Sequence, residues 1–225
     1  DYSLNNQLDR NEQNIATTAT NLDIDYRNNI FNPTSGNYTR LTFEYSHPDF
    51  GGNYTINYWK TVESFTYYKP FWKTWNWAQL FRAGYLYNLS DLNEGGVPYD
   101  KKGFVLGGQS SVRGFQAGTQ EAFPNRRQLG LNRETTYYLK TRSTMYLVKS
   151  EIRFPIFGNV GGALFYDGGY VDVEGLQFDD YYRDAAGIGI RYNTPVGPFN
   201  LELGHKLDRR DGEDAWVFHL SIGTF

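Results

Sequence analysis

Cysteine is absent from the 225 residues of this chain. Without thiols there can be no disulfide framework and no thiolate metal site. The chain also lacks any apolar run near the ~18 residues of a membrane-spanning helix, and its mean hydropathy is -0.61. Lys and Arg number 22 against 25 Asp and Glu, a net charge of -3. The basic residues are scattered, so we expect no nucleic-acid partner.

Sequence features that would mark a boundary between domains are missing as well. No Ser/Pro linker, block of like charge or low-complexity tract interrupts the sequence, so we expect one domain over residues 1–225. No signal peptide is visible at Asp1, so either it was removed or the chain is a fragment.

Aromatic residues are abundant. They make up 18% of the chain, with 19 Tyr, 16 Phe and 5 Trp. A helical membrane protein must be apolar on all sides. A transmembrane β-barrel instead hides a polar lumen behind a thin apolar band, and its aromatic residues lie at the two interfaces. The composition therefore favours a barrel.

Apolar and polar residues alternate with a period of two, which predicts strands. Leu22 and Ile24, for example, alternate with Asp23 and Asp25. Segment 54–68 is also strand-like, but its alternation slips around residues 59–62, which predicts a bulge. The same alternation recurs in segments 40–45, 75–89, 146–154, 164–170, 188–192, 201–207 and 216–222.

The connections decide between a barrel and a soluble sandwich, because both architectures alternate. One set is short and turn-like, and the other is longer and polar, as in an outer-membrane barrel. A cluster of aromatic residues from Tyr67 to Trp77 flanks a short turn, where an interfacial girdle belongs. The short set is 32–36, 69–74, 155–159 and 194–198, and the long set is 47–53, 90–142, 172–184 and 208–214.

A barrel whose two chain ends lie on the same side of the membrane has an even number of strands. Five strands follow the long loop and four clear ones precede it; residues 2–8 would supply a fifth, so we prefer ten strands. Eight strands, with the first thirty residues outside the wall or in the lumen, is the alternative. A third option is that Asp1 is a cut inside a larger barrel. Side chains fill so small a lumen, and its charges of mixed sign favour a hydrogen-bonded plug over an ion-selective pore.

Five motifs in fixed order carry a family resemblance. They are VRGF (112–115), SEIRFP (150–155), FYDGGYV (165–171), GIGIRYNTPVGPFNLELG (187–204) and FHLSIGTF (218–225). The ordered set resembles the C-terminal barrel of the BamA/TamA-type outer-membrane assembly and translocation superfamily. The resemblance covers nearly the whole chain, from about residue 20 onward. It implies an all-β, antiparallel up-and-down barrel in a Gram-negative outer membrane, with the long loop folded into the lumen.

The resemblance also implies site residues. The loop motif Val112-Arg113-Gly114-Phe115 would enter the lumen, where Arg113 would pair with Glu151 and Asp167. The alternation independently puts both acids on the charged face of their strands. In the last strand, the family's C-terminal signal would fall on Phe218, Ile222 and Phe225.

Three departures from the family pattern bear on function. The chain contains no periplasmic docking domain, which family members that assemble other proteins carry. The family barrel has roughly sixteen strands with a seam that can open, whereas a smaller closed barrel has no free edge. The C-terminal spacing is one residue short, so Phe225 falls on the opposite face from Ile222.

The other groups of polar residues do not indicate a catalytic site. His219, Ser221 and Glu202 could approach one another, but an inward-facing His is usually a member of a polar network. Acidic residues crowd the loop 172–184 without the spacing of a calcium site. We therefore expect a non-enzyme without cofactor or metal, whose partners are outer-membrane lipids, lipopolysaccharide and nascent outer-membrane proteins. The alternatives are a structural barrel that assembles nothing and a lipid-modifying enzyme using His219.

Overall fold

A computed structural model describes residues 14–52, 56–91, 96–117, 123–124, 138–175 and 182–223. Nearly all regular structure is β, as predicted. The nine long strands are β1 (Thr17–Asp25), β2 (Gly36–Ser46), β3 (Tyr58–Trp72), β4 (Trp75–Asn88), β7 (Arg142–Phe157), β8 (Val160–Val173), β9 (Tyr182–Tyr192), β10 (Phe199–Lys206) and β11 (Trp216–Ile222). The long loop holds the two short strands β5 (Val97–Pro98) and β6 (Tyr138–Leu139) and the helix α1 (Tyr99–Lys102), and a 3-10 turn covers Pro48–Phe50.

The long strands form one antiparallel sheet in the order β1-β2-β3-β4-β7-β8-β9-β10-β11. Each long strand pairs with the next long strand of the chain, and β4 pairs with β7 across the long loop that joins them. The sheet is therefore an up-and-down meander. Among the described residues, β1 and β11 are its two edges and do not pair with each other. Closure and a ten-strand count therefore stay predictions, and the strand predicted for residues 2–8 lies outside the described part. Within the same ranges, no helix has the length and apolar character needed to cross a membrane.

The sheet has two chemically different faces. The loop-bearing face, against which residues 97–117 pack, carries the buried polar side chains of Lys149, Glu151 and Asp167. The outer face exposes large apolar side chains such as Ile188 and Leu220, which are 57% and 69% exposed. A core of apolar residues lies between the loop and the sheet, formed by Val97, Tyr99, Phe104, Leu106, Val112 and Phe115 of the loop with Leu80, Leu86, Leu147 and Val171 of the strands.

Small residues make room for the loop on this face. A Cβ built on Gly204 of β10 would lie 2.3 Å from the carbonyl oxygen of Arg113, a backbone atom that cannot rotate away. On β8, a Cβ on Gly169 would lie 2.5 Å from a methyl group of Leu106. The loop is therefore in direct contact with the sheet at positions where only glycine fits.

The predicted asymmetry of the connections is present in part. Two-residue turns at Lys73–Thr74 and Gly158–Asn159 join β3 to β4 and β7 to β8, and residues 193–198 join β9 to β10. At the same end, residues 26–35 join β1 to β2, so the short turn predicted at 32–36 is wrong in its bounds. The opposite end has the connections 47–57, 89–141, 174–181 and 207–215, of which the last two are shorter than 26–35. We call these ends the turn end and the loop end. At the turn end, Trp75 contacts Trp72 and Phe154, with ring centroids 5.3 and 5.0 Å apart.

The predicted bulge in β3 is wrong. Pairing of β3 with β2 and β4 runs without a register shift through residues 59–62, and the one irregularity lies between Pro70 and Trp72. The pattern slips for another reason: Val62 points to the loop-bearing face, and the charged Glu63 points to the outer face. Side-chain chemistry, not an extra residue, interrupts the alternation.

Candidate functional site

Arg113 lies at the centre of the contact between the loop and the sheet. Its side chain is 1% exposed, and its guanidinium stacks on the ring of Phe165, 3.6 Å from the centroid. Three acids surround it: Glu151 of β7, Asp167 of β8 and Glu202 of β10. We call Arg113 and these acids the arginine cluster.

The bonds between Arg113 and Asp167 are bidentate. Arg113 Nε donates to Asp167 Oδ2 at 2.7 Å, and Nη2 donates to Oδ1 at 2.8 Å. The backbone N–H of Arg113 also donates to Asp167 Oδ2, at 3.0 Å. Fork-to-fork pairing fixes orientation as well as distance, so the loop is held in both position and rotation.

The same guanidinium binds the other two acids. Arg113 Nη1 donates to Glu151 Oε2 and to Glu202 Oε1, both at 2.6 Å. Burial alone would lower the pKa of Arg113, but the charges of Asp167, Glu151 and Glu202 outweigh it and raise that pKa. The guanidinium is therefore a permanent cation in a buried site, bound to three different strands.

Sequence reasoning named Glu151 and Asp167 as partners but not Glu202. The alternation of Glu202 with Leu201 and Leu203 also puts it on the charged face. The choice of partner, however, depends on strand register, which brings Glu202 beside Gly189 of β9 and His219 of β11. A signal was available: glycine at 187, 189 and 204 leaves that part of the face open to the loop.

Two further arginines support Glu151 from the turn end. Arg153 Nε and Arg191 Nη1 both donate to Glu151 Oε1, at 2.8 and 2.6 Å. Near Asp167, the ammonium of Lys149 donates to the carbonyl of Gln109 at 2.6 Å. The arginine cluster thus continues into a buried network of both signs, and every acid in it meets a cation.

The other loop-motif residues are packed rather than polar. Val112 and Phe115 are fully buried, and a Cβ on Gly114 would lie 2.4 Å from Cβ of Ala185. Phe115 makes an edge-to-face contact with Phe123, with centroids 5.3 Å apart.

A second group of ion pairs, which was not predicted from the sequence, lies beside Phe115 at the loop end. We call this group, formed by Arg183, Asp208 and Glu213, the clasp. Arg183 of β9 stacks on the Phe115 ring at 4.5 Å and binds two acids of the β10–β11 loop. It pairs with Asp208, and its Nη1 and Nη2 donate to Glu213 at 2.9 and 2.7 Å. Burial would raise the pKa of Glu213, but its hydrogen bonds to Arg183 and the charge of that residue lower it. The clasp joins the loop motif to the β10–β11 loop.

The histidine considered for catalysis binds the loop backbone instead. His219 Nε2 lies 2.7 Å from the carbonyl oxygen of Arg113, whereas the hydroxyl of Ser221 accepts from Asn200 and Glu202 pairs with Arg113. The three residues are not arranged as a nucleophile, base and acid. Of the C-terminal residues, Phe218 and Ile222 lie exposed on the outer face, and Phe225 lies outside the described residues.

The acidic residues near the β8–β9 loop are not gathered into a metal site in the described part of the chain. Glu174 pairs with Arg142 at 3.1 Å, and Asp184 accepts a hydrogen bond from Tyr166 at 2.9 Å. Asp179 and Asp180 lie outside the described residues.

Comparison with known proteins identifies the family. The model of the Omp85 superfamily domain matches residues 1–225, so the chain belongs to the Omp85 superfamily. This confirms the resemblance inferred from the ordered motifs.

A curated relative and a solved structure agree with this assignment. The chain is 28% identical over 151 residues to the chloroplastic outer envelope protein 80 of Arabidopsis thaliana, a match over 63% of this chain and 17% of that protein. It is similar in fold to the crystal structure of BamA from Haemophilus ducreyi lacking POTRA domains 1-3. That match has a TM-score of 0.61 and 19% identity, and it covers 90% of this chain and 41% of the other. The chain thus spans less than half of each protein. The family and the fold together imply an outer membrane.

Proposed function

We propose that this protein is a β-barrel that assists the insertion or translocation of proteins at the outer membrane, or locally disturbs the bilayer there. The observation that carries the proposal is the arginine cluster on a VRGF loop, in a chain that belongs to the Omp85 superfamily. The loop is bound to three strands through one buried cation. Nascent outer-membrane proteins are the proposed clients.

We also propose that the sheet closes around the loop as a single barrel domain. In hydrocarbon, every backbone N–H and C=O must be paired, and an open sheet edge leaves a row of them unpaired. The exposed apolar outer face and the buried charges on the loop-bearing face support a membrane wall around a polar lumen. Ten strands, with residues 2–8 as the tenth, remain our preferred count.

The remaining parts of the proposal concern surroundings and chemistry. The organism is proposed to be a Gram-negative bacterium, and lipids and lipopolysaccharide are proposed to contact the outer face. The role is proposed to be non-enzymatic, since His219 binds the loop carbonyl rather than Ser221.

Client folding in vesicles tests the assembly role. The full chain is reconstituted, an unfolded small barrel protein is added, and the folded client is measured by its shifted mobility on a gel without boiling. We expect faster folding than in empty vesicles, and a loss of that gain in Arg113→Ala. Arg142→Ala, which removes an exposed ion pair with Glu174 and a contact with Tyr85, is the control and should behave like wild type.

The competing candidate is a structural barrel that keeps the loop for stability alone. The number of buried bonds that Arg113 makes favours it, because such a network can act as a static plug. In that case wild-type protein and empty vesicles fold the client at the same rate, and the assembly role is refuted. A lipid-modifying enzyme would show lipid hydrolysis that His219→Ala abolishes.

A further inference from the structure

Glu63 is a charged residue on the face of the sheet that should meet lipid. It lies in β3 on the outer face, directly opposite Leu41 of β2 and Ala83 of β4. Phe65 and Phe81 beside it are exposed. A carboxyl group is therefore set in an apolar surface.

The position of Glu63 along the strand places it inside the apolar band. Trp59, which stacks with Tyr85 and Tyr87 at the loop end, is four residues away, or about 13 Å at ~3.3 Å per residue. Phe71, in the aromatic cluster at the turn end, is eight residues away in the other direction, or about 26 Å. Glutamate is too short to reach either interface.

No partner within the described residues satisfies this carboxyl group: the side chain is exposed and makes no hydrogen bond or ion pair with them. Ionisable residues on a lipid-facing surface lower stability, and those within a membrane usually have a partner. Lys69, on the same strand and face, lies instead at the turn end, where water and head groups are available.

A groove lies beside Glu63. Its volume is about 240 Å³, and the small side chain of Ala83 lies between the larger Phe65, Phe81 and Tyr146 that line it. Arg82 also lines the groove, but its guanidinium points to the loop-bearing face, where it donates to Ser64 and to the carbonyl of Ser110. A groove with apolar walls and one acid at its edge has the shape and charge to receive a side chain with an apolar stem and a cationic end.

We propose that this groove and Glu63 form a docking surface for the membrane-spanning segment of another protein that presents one lysine or arginine toward lipid. Charge complementarity selects that partner. A second copy of this chain does not supply it, because the outward-facing basic residues of the described strands are Lys69 and Arg142, both near strand ends. The inference uses the outer-membrane location and not the assembly activity.

Energy transfer in vesicles tests the proposal with defined probes. The full chain, labelled with a donor, is reconstituted with an acceptor-labelled leucine-rich helix of about 20 residues that carries one lysine near its centre or leucine throughout. Glu63→Gln removes the charge and keeps the shape, and Glu63→Leu gives a second neutral variant. Lys69→Gln is the matched control, and circular dichroism establishes that each variant is folded.

The lysine peptide should bind wild type about tenfold more tightly than either Glu63 variant, the size of one lost charged hydrogen bond. Lys69→Gln should bind like wild type, and the all-leucine peptide should not distinguish the variants. Equal binding of the lysine peptide to wild type and Glu63→Gln would overturn the proposal. So would a Glu63-dependent leak of trapped dye without peptide preference, because the carboxyl group would then act on the bilayer alone. Client folding is measured separately, so a failure here is distinct from a failure of the assembly role.

Discussion

Removing the Arg113 side chain should lower the stability of the folded protein more than any exposed substitution. In Arg113→Ala, the acids Glu151, Asp167 and Glu202 lose a shared cation while they remain buried. Taking one partner from a buried ion pair costs about 3 to 5 kcal/mol, because the other charge is left uncompensated. For a chain of this length, 1 kcal/mol corresponds to about 2 to 4 °C, so we expect the melting temperature to fall by about 6 to 20 °C.

The measurement is the temperature at which the protein loses its folded mobility on a gel without boiling. Arg113→Lys should fall between wild type and Arg113→Ala, since an ammonium keeps the charge but cannot form the fork to Asp167. Arg142→Ala should shift the transition little, because exposed pairs contribute about 0 to 1 kcal/mol. If Arg113→Ala and Arg142→Ala unfold at the same temperature as wild type, the arginine cluster does not hold the loop.

Two further predictions concern the contacts around the loop. Gly204→Val should destabilise the protein because its Cβ would collide with the Arg113 carbonyl. When it is combined with Arg113→Ala, the loss of stability should be smaller than the sum of the losses in the two single variants, as for coupled sites. Additive losses, measured by thermal melting, would refute the contact. The pKa of Glu213 is lowered in the folded state from its ordinary 4.5, so its bond to Arg183 stabilises the loop fully above that value and is lost as the pH falls through the lowered one. Hydrogen exchange of residues 207–215 should therefore quicken in acid, beyond the intrinsic pH dependence of exchange, and Glu213→Gln should remove that response; an unchanged response in the variant would contradict the clasp.

The sequence predicted the faces of the sheet well, because a period of two assigns each side chain to one side. Glu151 and Asp167 fall on the same face as Lys149 in the structure, and Phe218 and Ile222 fall on the outer face. The partners within a face were harder to predict. Glu202 lies 89 positions from Arg113 in the sequence. Strand register, which alternation leaves open, decides whether the two side chains meet.

The errors have a physical origin as well. In β3, the outward Glu63 looked like a change of register because alternation alone cannot tell a charged outer side chain from a shifted strand. The Arg183 clasp was missed because its acids Asp208 and Glu213 lie in a loop, where no periodicity exists. Contacts made by loops depend on where the strands bring their ends.

The order of Arg113 and its acids along the chain has a consequence for biogenesis. The arginine precedes Glu151, Asp167 and Glu202 by 38, 54 and 89 residues, so the polypeptide holds this cation before any of its counter-ions has been synthesised. All three acids surround it only after β10 has joined the sheet. We therefore expect the loop to complete its docking late in folding, once β7, β8 and β10 are in register.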